Sequence, residues 1–311
     1  MSGTWQVASI LKEPLFVTLR FVAWYLEQGA DHVTLFFDDP QDPAIGVLDT
    51  HPDVTCIPCT AEFWGKIGLS PDIRFTKRQN AAITWAYHRL QEGWLLNVDS
   101  DEFLVLKSGS VSDLLARQEA TTQAVRIRTA ELVRPETPQP DLQFRTPMAR
   151  DVARRVYQDN AKLFGPRRQG LMGHPQGKSL TRAGLRRARL RQHWAEIPRQ
   201  GRAREVELSA KDGAYLLHMI GEDYYSWRRK VDWRMASAGF THALTDQIAD
   251  VLTQEDPEPD LFEIYLGLHE LSDDALARLH QEGVGVSLAV DLDRPAQRLF
   301  GEAYDVARKI A

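Results

Sequence analysis

The sequence predicts a mixed α/β fold in which helices flank a mostly parallel sheet. Residues 5–11 and 32–37 are apolar strand patterns, and residues 15–26 between them carry apolar side chains at helical spacing. A strand, a helix and a strand in such close succession favour a βαβ unit with parallel strands. A later apolar segment runs directly into Asp99-Ser100-Asp101, which places an acidic cluster at the carboxyl end of a strand, where open α/β sheets generally bind ligands.

The remaining elements follow the same reasoning in chain order. Gly29 ends the first helix, and Asp38-Asp39-Pro40 ends the second strand. Further strands are predicted at residues 54–57, 94–98, 124–129 and 215–219, and further helices at 76–90, 112–118, 224–238, 273–280 and 295–310. Residues 134–204 contain six prolines before an arginine-rich run, and they predict long loops over one face of the fold.

Composition fits an ordinary globular protein, since 43% of its 311 residues are hydrophobic and no apolar run is long enough to span a bilayer. Met1 to Trp5 lack the basic and apolar regions of a secretory signal, so a cytoplasmic location is expected. Cys56 and Cys59 form one C-x-x-C pair without the further ligands of a zinc site, and reduced, semi-buried thiols are expected.

The net charge of −5 conceals a basic central segment. Residues 145–204 contain 16 Lys and Arg but only 3 Asp and Glu, while both flanks are acidic. Such a segment can bind a phosphate-bearing substrate or an anionic membrane surface, or it can pair with the acidic flanks. Nucleic acid is not expected as a partner, because aromatic residues do not alternate with the basic ones.

The Asp99-Ser100-Asp101 segment predicts a metal site. Two carboxylates separated by one residue at a strand end can share a hard cation, and Mg²⁺ or Mn²⁺ keeps open positions for substrate phosphates. A bound divalent cation stabilises the charge that develops on a leaving diphosphate. Alone the pattern is weak, but here it follows Trp94 to Val98 and continues as Glu102-Phe103-Leu104.

Together these segments resemble family-2-type glycosyltransferases of the GT-A fold, in particular members with an Asp-x-Asp-Glu-Phe segment. The resemblance covers residues 5–235 and is strongest over 5–105; its other motifs are Lys12-Glu13-Pro14, Asp38-Asp39, Lys77-Arg78-Gln79-Asn80, Lys178-Ser179 and Leu217-His218. It implies a GT-A domain over residues 1–240, with a nucleotide-binding half (1–105) and an acceptor-side half (106–240). Residues 241–311 are then a small C-terminal helical extension.

The resemblance also implies roles for individual residues. The predicted nucleotide-sugar contacts are Lys12, Glu13, Asp38, Asp39, Arg78, Asn80, Asp99, Lys178 and Arg182, and the predicted ligands of Mn²⁺ or Mg²⁺ are Asp99, Asp101 and His218. Lys12-Glu13 stands where Asn-Glu is usual in the family, which leaves the nucleotide open, although a UDP-sugar is favoured. His174 is a candidate acceptor contact.

An inverting transfer to a carbohydrate or phosphate-bearing acceptor, for example in cell-surface polysaccharide synthesis, also needs a general base. Glu131, Glu222, Asp223 and His193 are candidates, with Asp223 preferred and Glu131 the main alternative. Membrane contact is expected to be peripheral at most, through the basic, Trp-bearing helix at residues 224–238.

The sequence is also compatible with two other functions. A nucleotidyltransferase also uses acidic pairs and metal, but the sequence near Leu11 lacks the glycine-rich loop that holds a triphosphate. A non-catalytic module could bind an anionic polymer or a membrane through the basic segment, with strong salt dependence and no need for metal.

Overall fold

The computed structural model describes residues 3–237 and 239–310. The strands are β1 (Trp5–Leu11), β2 (His32–Phe37), β3 (Val54–Pro58), β4 (Trp94–Asn97), β5 (Glu102–Leu106), β6 (Ala124–Ile127), β7 (Thr129–Pro135), β8 (Leu142–Arg145), β9 (Lys178–Arg182), β10 (Arg189–Leu190), β11 (Ala195–Ile197), β12 (Gly201–Arg202), β13 (Glu205–Leu208), β14 (Ala214–His218), β15 (Glu270–Leu271) and β16 (Gly285–Leu288). The helices are α1 (Leu15–Glu27), α2 (Pro43–Leu48), α3 (Ala61–Lys66), α4 (Phe75–Tyr87), α5 (Val111–Ala116), α6 (Arg150–Tyr157), α7 (Ala161–Phe164), α8 (Tyr224–Arg229), α9 (Val231–Ala236), α10 (His242–Val251), α11 (Glu258–His269), α12 (Asp273–Gln281), α13 (Asp293–Phe300) and α14 (Glu302–Ile310).

The chain forms two compact units. Unit 1 consists of residues 1–127, 177–216 and 291–311, and unit 2 of residues 128–176 and 217–290. The predicted boundary at residue 240 does not coincide with a limit of either unit, and the region after it is divided between them. The division into a domain over 1–240 and a helical extension over 241–311 therefore stays a prediction about the chain.

Unit 1 is built on a seven-stranded sheet with the order β13-β6-β9-β4-β1-β2-β3. Strands β3, β2, β1 and β4 are parallel, and β9 alone runs antiparallel to its two neighbours β4 and β6. β13 is again parallel to β6. This topology confirms the predicted α/β class with a mostly parallel sheet flanked by helices, and it is consistent with a GT-A-like fold.

Helix α1 is the crossover between β1 and β2, and its sequence explains both of its ends. Pro14 precedes the first turn, where a missing N–H costs nothing, and Gly29 adopts φ +85° just beyond the last turn. The buried Tyr25 hydroxyl donates to the carbonyl of Glu102 and accepts from the N–H of Leu104. These bonds fix α1 to the strand that follows the acidic segment.

Unit 2 contains the antiparallel strands β7, β8 and β16, surrounded by helices α6 to α12. Its core is a cluster of buried side chains that includes Trp227, Val231, Leu244 and Tyr265. Tyr265 packs edge-on against Tyr224 of α8, with ring centroids 5.6 Å apart.

Several predicted elements differ from those observed. Residues 134–204 are not long loops: they contain strands of two to five residues and two helices, too short to produce a readable periodicity. The helix predicted over 224–238 is two helices that meet at Lys230, and Ala238 lies outside the described residues. The helix predicted over 295–310 is broken at Gly301, which has φ +52°.

Trp227 is 2% exposed and packs in the unit 2 core, whereas Trp233 is 53% exposed. No described helix combines the length and the apolar character that a membrane span requires.

Candidate active site in unit 1

The strand order of unit 1 has a switch point beside the acidic segment. From β1 the chain proceeds outwards to β2 and β3, then returns to place β4 on the other side of β1. Ligands of open α/β sheets bind at such a switch point, outside the carboxyl ends of the two strands. Glu13 follows β1 and Asp99 to Asp101 follow β4, and the Ser100 hydroxyl donates to Glu13 Oε1 at 3.1 Å.

Residues 99–102 form a tight turn between β4 and β5. The N–H of Glu102 donates to the carbonyl of Asp99 at 3.1 Å, and the N–H of Asp99 donates back to Glu102 Oε2 at 2.8 Å. Asp101 is therefore the third residue of the turn, at its tip, with a half-exposed side chain. The turn therefore places Asp101 just beyond the carboxyl end of β4.

Both carboxylate oxygens of Asp99 accept hydrogen bonds from side chains within unit 1. Lys178 Nζ lies 2.7 Å from Asp99 Oδ2, and Gln79 Nε2 lies 2.7 Å from Asp99 Oδ1. Gln192 Nε2 donates in turn to Gln79 Oε1 at 2.9 Å. Asp99 remains 40% exposed, so it is anchored on one side and open to solvent on the other.

Lys178 is completely buried at the start of β9, and it also lies 3.2 Å from Glu102 Oε2. Burial alone would raise the pKa of Asp99, but the neighbouring ammonium overrides it and holds that pKa below its ordinary value. Glu102 is only 7% exposed, and burial raises its pKa to about 8 although Lys178 opposes the shift. Burial would lower the pKa of Lys178, and the two carboxylates raise it instead, so the ammonium stays charged.

Asp38 and Arg78 lie at the same edge of the sheet. The N–H of Asp38 donates to the carbonyl of Leu11, and Arg78 Nη2 forms an ion pair with Asp38 Oδ2 at 3.0 Å. The guanidinium also lies 5.7 Å from the ring centroids of Trp64 and of Phe75. Trp64 is buried, so the half-buried Phe75 and the ion pair are the part of this edge that suits a flat, polar ligand such as a nucleoside.

Three buried polar atoms near the switch point lack a hydrogen-bond partner within residues 3–237 and 239–310. They are Arg78 Nε, Asn80 Oδ1 and Asn97 Oδ1. Buried polar atoms are nearly always paired, and an unpaired one needs an explanation such as a bound ligand or water. Their position along α4 and at the end of β4 fits a polar ligand at the switch point.

Other predicted contacts lie elsewhere in unit 1. Lys12 is exposed just after β1, and Asp39 accepts the N–H of Gln41 within its own turn. Arg182 pairs with Trp94 at the amino end of β4, where it donates to the carbonyls of Thr122 and Glu119. Trp94 is five residues before Asp99, so Arg182 is about 16 Å along the strand direction from the acidic segment and is not brought to it.

Sequence reasoning missed Gln79 and Gln192. Gln79 lies inside the Lys77-Arg78-Gln79-Asn80 motif. Asking which face of the helix points to the end of β4, where Asp99 lies, could have identified it. Gln192 follows a strand of only two residues, and no local pattern indicated its position.

The chemistry of the donors fits a divalent cation held jointly with a ligand. No group of three or more His, Cys, Asp or Glu that could hold a metal occurs among the described residues. Mg²⁺ and similar ions are commonly held by one or two carboxylates together with substrate phosphates. Asp99 and Asp101 are the carboxylates of this turn, and both Asp99 oxygens accept hydrogen bonds, from Lys178 and from Gln79.

The remaining candidates belong to unit 2. Glu131 is completely buried, and its carboxylate accepts from Arg145 Nε at 2.9 Å and from the N–H groups of Met172 at 2.7 Å and Gly173 at 2.6 Å. Burial would raise the pKa of Glu131, but Arg145 outweighs it and lowers that pKa. A carboxylate with these partners is poorly suited to take a proton from an acceptor.

His218 is 13% exposed at the end of β14, and its Nδ1 lies 3.8 Å from Glu131 Oε2. A carboxylate beside one ring nitrogen is the usual companion of a histidine that binds metal through the other. Asp223 is the N-cap of α8 and accepts the N–H of Ser226 at 2.8 Å. His174 Nδ1 accepts the N–H of Gln176, which fits a loop turn.

Comparison with known proteins adds the following. No family model matches the sequence, and no curated protein matches it. The mannosyltransferase PcManGT from Pyrobaculum calidifontis, solved with GDP-Man and Mn²⁺, is 13% identical with a TM-score of 0.42, over 98% of this chain and 86% of that one. HddC from Yersinia pseudotuberculosis is 12% identical with a TM-score of 0.36, over 74% of this chain and 99% of its own.

Similarity at this level does not establish a shared activity. The class that this chain's own strands and side chains define is an α/β protein with an acidic cluster at a sheet switch point. Its particular reaction has to be inferred from the residues at that switch point.

Proposed function

We propose that the protein is a metal-dependent glycosyltransferase that takes its sugar from a nucleoside diphosphate donor. One observation carries the proposal. Asp101 stands at the tip of a turn at the sheet switch point, while the neighbouring Asp99 is anchored by Lys178 and Gln79. The proposal assigns the shared cation to Asp101 and a contact with the donor or the cation to the anchored Asp99.

The proposed division of roles follows from the contacts of each side chain. Asp38 and Arg78, beside the aromatic rings, hold the nucleoside, with Asn80 near the ribose and diphosphate. Asp101 holds the cation, with Asp99 facing the ribose or the metal. A bound Mn²⁺ or Mg²⁺ supplies charge stabilisation for the departing diphosphate. Lys178 acts as a positioning residue, because its buried ammonium pairs with the carboxylates of Asp99 and Glu102.

The acceptor side of the proposal concerns the general base and His218. Among the candidate bases, Asp223 is preferred over Glu131, because the Glu131 oxygens are saturated by Arg145 and two backbone N–H groups. His218 stays a proposed metal ligand, supported by the nearby Glu131 carboxylate. A UDP-sugar donor, an inverting transfer and a carbohydrate acceptor complete the proposal.

Thermal unfolding with UDP, GDP or ADP, each with and without Mn²⁺, tests the donor site directly. A nucleotide at about 100 times its dissociation constant should stabilise the protein by roughly 2.7 kcal/mol. We expect one nucleotide to do so only with Mn²⁺, and Asp101→Asn to abolish the effect. The matched control is Asp49→Asn, which removes an exposed carboxylate at the end of α2 and should keep it.

A lack of stabilisation by every nucleotide, with and without metal, would overturn the proposal. Stabilisation that is independent of metal and unchanged in Asp101→Asn would remove the role of the acidic segment.

A further inference from the structure

Unit 1 carries a basic surface that the donor site does not use. The three short strands β10, β11 and β12 form a separate antiparallel sheet. Leu190, Ala195 and Ile197 are buried in the core beside α4, so the alternate residues of these strands face outwards. Arg189, Glu196 and Arg202 are cross-strand neighbours on that outer face. An open groove of about 560 Å³ lies there, lined also by Trp194, Ile197 and Arg199.

The charge of this surface is largely uncompensated. Glu196 is the only carboxylate among the residues that line the groove. It forms an ion pair with Arg191, whose Nε and Nη2 lie 2.8 Å and 2.7 Å from Glu196 Oε2. The other arginines of residues 186–204 are exposed, and none forms an ion pair of 4 Å or less within residues 3–237 and 239–310; they are Arg186, Arg187, Arg189, Arg199, Arg202 and Arg204. Among these six, Arg202 interacts electrostatically with Glu205 and Arg189 with Glu196, so close pairing with the acidic flanks accounts for only a small part of the charge of this surface.

Two of these arginines occupy backbone positions that do not favour them. Arg187 and Arg199 have φ of +59° and +69°, in the left-handed region where Gly or Asn is the usual residue. Such conformations cost roughly 1 kcal/mol or more, and they concentrate at ligand-binding sites. Both arginines lie at the same end of the small sheet, Arg187 just before β10 and Arg199 in the turn between β11 and β12, where they concentrate positive charge although the backbone conformation is unfavourable.

The groove is joined to the proposed donor site by the residues that follow β10. Asn97 Nδ2 donates to the carbonyl of Arg191 at 2.7 Å, and Gln192 reaches Asp99 through Gln79. His193 Nδ1 lies 2.9 Å from the carbonyl of Gly177, immediately before Lys178. A ligand in the groove thus lies beside the segment that holds the proposed donor.

We propose that this groove binds an acceptor glycan that carries carboxylate or phosphate groups; the acceptor role rests on the proposed function. Guanidinium groups bind both anions in a bidentate manner. Single-stranded nucleic acid would need several stacking faces, whereas Trp194 is the only indole of the groove and Arg202 covers its ring at 3.8 Å. Membrane insertion would need exposed large hydrophobic side chains, and none of those described lies in residues 186–204.

Binding of hexagalacturonate to the full chain, measured by calorimetry at low and high salt, tests the proposal. An oligo(mannosyl phosphate) of equal length distinguishes phosphate from carboxylate, and maltohexaose is the neutral control. We expect one anionic glycan to bind with strong salt dependence. Arg199→Gln/Arg202→Gln should weaken that binding about tenfold or more, because each charge-assisted hydrogen bond is worth at least the 1.4 kcal/mol that makes a tenfold change.

The matched control is Arg117→Gln/Arg294→Gln, which removes the same charge from exposed positions of unit 1 and should leave binding unchanged. Equal weakening in both variants, or no binding of either anionic glycan, would overturn the proposal. So would tighter binding of single-stranded DNA, or of vesicles of phosphatidylcholine and phosphatidylglycerol, that the groove variant loses. Nucleotide stabilisation with Mn²⁺ should persist in both variants, so failure of the groove and failure of the donor site are separable.

Discussion

Replacement of Lys178 by Met tests the arrangement that anchors the acidic segment. Met nearly preserves the volume of the buried side chain but removes the ammonium from Asp99 and Glu102. Breaking a buried ion pair usually costs about 3–5 kcal/mol, because it leaves a charge without a partner. The Asp99 side chain is 40% exposed, so water can solvate its charge when the ammonium is removed. Glu102 can take up a proton, because its pKa is raised to about 8. Both effects reduce the cost, and we expect about 3 kcal/mol at neutral pH.

The loss should be read from urea unfolding and from the melting temperature. For 311 residues that unfold in one transition, about 3 kcal/mol corresponds to a decrease of about 5 °C, and to more if unit 1 unfolds separately. The difference from the wild type should shrink as the pH is lowered, because in the variant both carboxyl groups can become neutral. Lys211→Met is the control, since that lysine is exposed, and it should change stability little.

The double variant Lys178→Met/Asp99→Asn completes the cycle. It no longer holds an unpartnered Asp99 charge, so it should recover most of the lost stability. A single variant that loses less than about 1 kcal/mol, or a double variant no more stable than Lys178→Met, would refute the electrostatic reasoning.

Three further predictions concern other parts of the chain. His269 is buried in unit 2, and burial lowers its pKa, so only the unfolded chain takes up its proton below about pH 6.5. The wild type should lose up to about 1.4 kcal/mol per pH unit there, and His269→Phe should show a shallower slope; equal slopes in urea titrations would contradict this. Cys56 and Cys59 are unpaired, and burial raises their pKa values to about 11 and about 12. At pH 8 a thiol reagent should label them at least about a hundredfold more slowly in the folded than in the urea-unfolded chain, and comparable rates would exclude such shifts. A Cβ at Gly173 would lie 2.7 Å from His218 Cε1 and Nδ1, so Gly173→Ala should cost about 1–3 kcal/mol in unfolding experiments. The control Gly46→Ala lies at an open helical site and should not lower the free energy of unfolding. An equally small effect of Gly173→Ala would show that the His218 ring moves aside freely.

The part of the fold that sequence reasoning predicted is the part with strong local periodicity. Strands β1, β2 and β4 and helix α1 were predicted within a residue or two, because each is buried and its apolar spacing is regular. The strands within residues 134–204 were not predicted, because some of them, such as β10 and β12, are only two residues long. Their apolar residues meet only through tertiary contacts, which no window of the sequence reveals.

The candidate site divides in the same way. The acidic segment, Glu13, Asp38 and Arg78 could be proposed from the sequence because each stands after a strand or at the start of a helix, and the structure places them at the same edge of the sheet. The partnership of Lys178 with Asp99 was not, because the two residues are 79 positions apart and meet only through the antiparallel pairing of β9 with β4. The predicted contact of Lys178 with the nucleotide-sugar stays a prediction, and in the structure its buried ammonium contacts Asp99 and Glu102.

The bond between Lys178 and Asp99 also restricts how this sequence can change over evolutionary time. Loss of Lys178 alone leaves a carboxylate without its partner, and loss of Asp99 alone leaves a buried ammonium facing Glu102 only. Either single change is costly, while the paired replacement by neutral residues of similar size is not. The two positions should therefore covary among natural relatives, and a relative with Asn at the position of Asp99 should lack the lysine as well.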